Sequence, residues 1–142
     1  MQRRRVQVAL VGFLSVVVIG LAGTADTVAQ DKKEEKLPTI KEIMAKGHKG
    51  TDAYLAKIGK EAKAGKWEDA QSDAKGLAYF GESLSKLEPP KGDAKSWAGL
   101  TKKYADATAA VKKAADDKDA KGVEKALGAI NASCGACHGK HK

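Results

Sequence analysis

The chain has 142 residues, with 26 Lys plus Arg against 18 Asp plus Glu, and two Cys. That length fits one domain and excludes an α/β barrel or a multidomain enzyme. Two Cys exclude a scaffold of several disulfides, and with aromatics at 5% a core of large side chains alone would be thin.

Arg3, Arg4 and Arg5 precede an apolar run from Val8 to Gly23, and small residues follow it. This is the layout of a secretory signal peptide over residues 1–29. Thr27-Val28-Ala29 offers the small residues that a signal peptidase accepts, so cleavage is expected after Ala29, with Ala25 as the second choice. Left uncut, the segment would be a membrane anchor, although its apolar run falls short of the roughly 20 residues of a spanning helix. Every Arg of the chain lies in this segment, so the basic groups beyond it are all Lys. Arg is the side chain that clamps phosphates and reads bases, and no nucleic-acid partner is expected. A spread of Lys either steers toward an acidic partner or simply keeps the protein soluble.

Residues 30–37 are polar and charged, and read as a flexible lead-in to a domain over 38–142. Thr39, after Pro38, fits a helix start. The apolar or small stripe Ile40, Ile43, Met44, Gly47, Thr51, Tyr54, Leu55 and Ile58 has helical period. One helix is expected there, with a kink available at Gly47 or Gly50 and an end at Ala64-Gly65. A second segment begins near Lys66, carries Trp67, Ala70, Ala74, Leu77, Gly81, Leu84 and Leu87, and stops at Pro89-Pro90. A third starts at Asp93 as N-cap, with Trp97, Leu100, Thr101, Tyr104, Thr108 and Val111 on its stripe. After Asp116-Asp117-Lys118 a fourth starts at Asp119 and carries Val123, Ala126, Leu127, Ile130, Cys134 and Cys137. No two-residue alternation is sustained anywhere, so the fold class is all-α. Four helices joined by short loops pack as an antiparallel four-helix bundle. Its Ala and Gly would make a weak core unless a large apolar cofactor filled it.

Cys134-Gly135-Ala136-Cys137-His138 is a C-x-x-C-H sequence, which reads as covalent attachment of one c-type haem. On a helix, Cys134 and Cys137 reach the same side, so both thiols can form thioethers with one ring. His138 follows Cys134 by one turn and can offer a ring nitrogen to the iron, while Gly135 leaves room between the anchors. Both Cys of the chain lie in this motif, and export is indicated separately. The alternatives are a local disulfide or a dithiol, which expects a helix N-terminus after a strand. A zinc site would need four ligands in closed spacing.

This helical pattern, with the Cys134–His138 motif in its last helix and Ile40-Lys41-Glu42-Ile43-Met44 opening the first, resembles the class II cytochromes c, the cytochrome c′ and c-556 group. The resemblance spans residues 38–142. It implies a periplasmic, single-electron carrier with haem iron held by His138 and, from the first helix, Met44. A Met/His pair favours a higher reduction potential. His48, one turn beyond Met44, is the rival sixth ligand, and core filling is the alternative role of Met44. With no sixth ligand the family binds nitric oxide or carbon monoxide. A haem-free structural or thiol-redox helical protein is the reading from another class. The resemblance implies redox partner proteins and allows a homodimer. No paired carboxylates, nucleophile with a base, or phosphate loop stands in the sequence, so no enzyme is expected.

Gly139, Lys140, His141 and Lys142 follow the motif where the family commonly carries an aromatic and then Arg. A Lys, a Trp N–H or solvent must therefore meet the haem propionates, and His141 is expected to be exposed. Trp67, Trp97 and Tyr104 are candidate haem-packing aromatics, with ordinary core packing as the alternative.

Overall fold

The computed structural model describes residues 36–142. The expected signal segment 1–29 and residues 30–35 of the lead-in lie outside the described residues. Five helices and no strand are found among the described residues: α1 (Ile40–His48), α2 (Tyr54–Lys63), α3 (Trp67–Ser85), α4 (Ala94–Asp116) and α5 (Ala120–His141).

The start of α1 is fixed by a capping box. The Thr39 hydroxyl accepts from the Glu42 N–H at 3.2 Å, and the Glu42 carboxylate accepts from the Thr39 N–H at 2.8 Å. Two of the helix's unpartnered N–H groups are thereby satisfied. The helix buries Ile43 and Gly47, and packs Ile40 and Met44 partly against the core.

The first predicted helix is in fact two. Lys49 is extended and Gly50 sits at φ +90°, so the helical path ends after His48 and resumes at Tyr54. Gly50 can take that left-handed conformation at no steric cost, whereas a residue with a Cβ would be strained there. Gly47, the other suspected kink, stays helical and buried against Phe80.

The remaining boundaries follow local chemistry. Gly65, at φ +71°, ends α2, and the Pro89-Pro90 pair follows α3 closely. The Asp93 carboxylate accepts the Ser96 N–H at 2.7 Å and caps α4. Asp119 occupies the N-cap position of α5, but its side chain makes no capping hydrogen bond.

Helix α3 packs against α2 and α4, α5 packs against α4 and α2, and α1 rests on α2 and α3. Between them lie Ile43, Ile58, Leu77, Val111, Val123 and Ile130, all fully buried. Each such side chain contributes about 1.5–3 kcal/mol. Buried Ala and Gly occupy much of the rest, including Ala70, Ala74, Gly81 and Ala115. At Gly81 the backbone of α3 comes so close to α4 that a Cβ would overlap the Thr108 hydroxyl and meet the Ala105 Cα at 3.1 Å. The buried stripe of α5 runs through Val123, Ala126 and Ile130, but Cys134 is exposed and Cys137 half-buried. At that point α5 leaves the packed core and borders a cavity.

Candidate functional site

The cavity measures about 710 Å³, within the roughly 300–1,000 Å³ of cofactor and ligand pockets. Four helices wall it. Helix α1 contributes Ile40, Met44 and His48, spaced four apart and so aligned on one face. Leu84 comes from α3, and Trp97, Leu100, Thr101 and Tyr104 from α4. Helix α5 contributes Cys134, Cys137, His138 and His141, with small residues such as Ala132 and Ala136 beside them. The C-x-x-C-H motif, Met44 and His48 thus belong to one mainly apolar space.

Both cysteines are free. The Cys134 Sγ lies 3.5 Å from the Ile130 carbonyl, to which its thiol donates. Burial, and then the neighbouring Cys134, push the Cys137 thiol up. That opposes the thiolate needed for dithiol exchange. His138 is exposed on the cavity wall.

His48 is half-buried, and its Nε2 lies 2.8 Å from the Tyr104 hydroxyl. The two rings are tilted, with centroids 5.5 Å apart. Burial, and then the charge of His138, hold the His48 imidazole below its ordinary pKa. Tyr104 is buried, and desolvation followed by Cys134 raises its phenol well above the usual range. The phenol therefore keeps its proton and remains a hydrogen-bond donor.

His141 is a correction. Expected at the surface, it is 3% exposed. Its Nδ1–H donates to the Lys91 carbonyl at 2.8 Å, and its Nε2 is 3.2 Å from the Ser96 hydroxyl. The ring also stands edge-on to Trp97 at 5.3 Å. The signal was present in the sequence, since His141 is four residues beyond the half-buried Cys137 and three turns beyond the buried Ile130, on the same face. Three further expectations are sorted by the geometry. Trp97 and Tyr104 line the cavity, whereas Trp67 packs on the core elsewhere. The Trp97 indole N–H is committed to the Leu87 carbonyl at 2.6 Å, so it is not free to meet an anionic group. Lys103 and Lys142 border the cavity and can do so.

Among the described residues no three His, Cys, Asp or Glu side chains are grouped to hold a metal ion by themselves. No described helix is long and apolar enough to cross a membrane. A scan against family models, a search of curated proteins and a search of solved structures each found no match. On its own geometry, the cavity can take an apolar group of cofactor size. Two thiols and an imidazole stand on its α5 wall, and a thioether and a second imidazole on its α1 wall.

Proposed function

We propose that the chain is an exported c-type cytochrome of the class II kind, carrying single electrons between redox partner proteins. In this reading α1 and α2 together form the first member of a four-helix bundle, and α3, α4 and α5 the other three. The observation that carries the reading is that Cys134, Cys137 and His138 open onto the same apolar cavity as Met44.

The donor set fits one haem. Each cysteine thiol would add across a vinyl group, its sulfur bonding one carbon and its hydrogen passing to the other, so no oxidant is needed. His138 would give the iron one imidazole nitrogen, and Met44 its thioether. The bound group would supply one-electron cycling of iron between ferric and ferrous states. Leu84, Trp97 and Leu100 keep water from the apolar edge of the cavity, and Lys103 and Lys142 offer cations to the propionates. The predominance of Lys over acidic groups would steer an acidic partner toward the protein.

The test is an absorption spectrum of the purified exported protein, oxidised, reduced, and reduced under carbon monoxide. A low-spin covalent haem spectrum unmoved by carbon monoxide supports two protein ligands, and Met44→Ala should then admit carbon monoxide. A high-spin reduced spectrum that shifts with carbon monoxide would refute Met44 ligation and favour a gas-binding protein. No haem, in cells competent to attach it, would refute the reading.

A further inference from the structure

Met44 and His48 stand four residues apart on one face of α1, about 6 Å along its axis, and both border the cavity. Imidazole is a good ligand for iron, so a free His48 would compete with the Met44 thioether. His48 is also the last residue of α1, two before the positive-φ turn at Gly50, where the chain changes direction. Its side chain is therefore not fixed by a following helical turn.

What fixes it is Tyr104. This phenol is 7% exposed, and a buried hydroxyl needs an acceptor. Among the described residues its hydrogen-bond partner is His48 Nε2, at 2.8 Å. A neutral imidazole has one lone-pair nitrogen and one N–H. With Nε2 accepting the hydrogen bond from the phenol O–H, Nδ1 carries the ring proton, and neither nitrogen can bind a metal. From this geometry we infer that Tyr104 is a positioning residue that occupies the His48 lone pair and so reserves the sixth iron position for Met44. The inference rests on the haem reading above and concerns which α1 side chain ligates.

The experiment uses the haem-loaded protein and compares wild type with Tyr104→Phe, which keeps the ring and removes the donor. The wild type should show the weak red-edge charge-transfer band of methionine-ligated ferric haem. Tyr104→Phe should lose that band, gain a bis-histidine low-spin spectrum and shift to a lower reduction potential. Adding His48→Ala to Tyr104→Phe should restore the band and the potential, a rescue that general loosening of the site would not give. His48→Ala alone should leave the band in place. A wild type with the band and an unchanged Tyr104→Phe overturns the inference while leaving the haem reading standing. Loss of the band in His48→Ala alone also overturns it. A wild type without haem overturns both, and one with haem but no methionine band overturns the inference and the Met44 ligation while leaving haem attachment standing.

Discussion

Replacing His141 with Ala tests whether the end of α5 is held against the α3–α4 loop. The side chain makes a hydrogen bond to the Lys91 carbonyl at 2.8 Å, another to Ser96 at 3.2 Å, and an edge contact with Trp97 at 5.3 Å. A hydrogen bond contributes about 0.5–1.5 kcal/mol net, and an aromatic edge contact about as much. Lys91 is exposed, so its carbonyl can turn to water and no stranded-acceptor penalty is added. Against these gains stands the cost of ordering a helix end, which frays readily. The balance is a loss of about 2 kcal/mol, or a Tm lower by roughly 8–16 °C for a domain of this size. Urea unfolding followed by far-ultraviolet circular dichroism would read the change as a lower midpoint at constant slope. Ser96→Ala, which removes only the longer hydrogen bond, should cost less than half as much. A His141→Ala loss below about 0.5 kcal/mol would mean instead that the last turn of α5 is open in solution and that these contacts do not hold it.

Two glycines should respond to alanine in opposite directions. At Gly47 a Cβ would meet Phe80, Leu77 and the Tyr104 hydroxyl at 3.5–4.0 Å, ordinary contact distances, so Gly47→Ala should raise stability by about 0.5–1 kcal/mol through helix propensity. Gly81→Ala should lower it by about 1–3 kcal/mol, since the α3–α4 approach leaves no room; equal thermal shifts in the two variants would count against the packing described. Hydrogen bonds from the Thr39 backbone, and then its hydroxyl, hold the Glu42 carboxyl below its ordinary value of 4.5. A depressed carboxyl stabilises the folded state above its unfolded pKa and loses that contribution as pH falls through the native one. The Tm gap between wild type and Glu42→Gln should therefore be present at neutral pH and close as pH drops below 4.5, and a gap independent of pH would exclude the charge as its source.

Signals written in neighbouring residues were legible. Asp93 caps α4, Gly65 ends α2, and Thr39 opens α1. That Cys134, Cys137 and His138 share one helix wall was legible for the same reason, because they lie within a single turn and a half of helix. The break after His48 was only half legible. Gly47 and Gly50 look alike in sequence, yet Gly47 is helical and packed on Phe80, whereas Gly50 takes φ +90°. Which glycine breaks the helix is decided by what packs against each, and that is tertiary information. His141 was misplaced because its distance from His138 was counted, and not its place on the face of Ile130 and Cys137. Its partners Lys91 and Ser96 are 50 and 45 residues away.

The many small residues pointed to a space for a large group, but where the cavity opens could not be read from the sequence, because no run of residues encodes it. It arises where α5 continues past Ile130 with small side chains, while α1 stops at His48. The small residues that thin the core therefore also make the space. Helix α1 has nine residues, fewer than the roughly 12–15 at which an isolated helix becomes stable. It is held by packing on α2 and α3, and α5 by packing on α4 and α2. An occupant touching Ile40 and Met44 on one wall and anchored to Cys134 and Cys137 on another would tie these two elements together. Any group that binds only the folded chain raises its stability, and an apolar group adds roughly 25 cal/mol for each Å² of apolar surface it covers. On the proposed function, the occupant would then be both the redox centre and the missing part of the core. The haem-loaded protein should for that reason outlast a Cys134→Ser, Cys137→Ser variant in urea by more than the two thiols alone could explain.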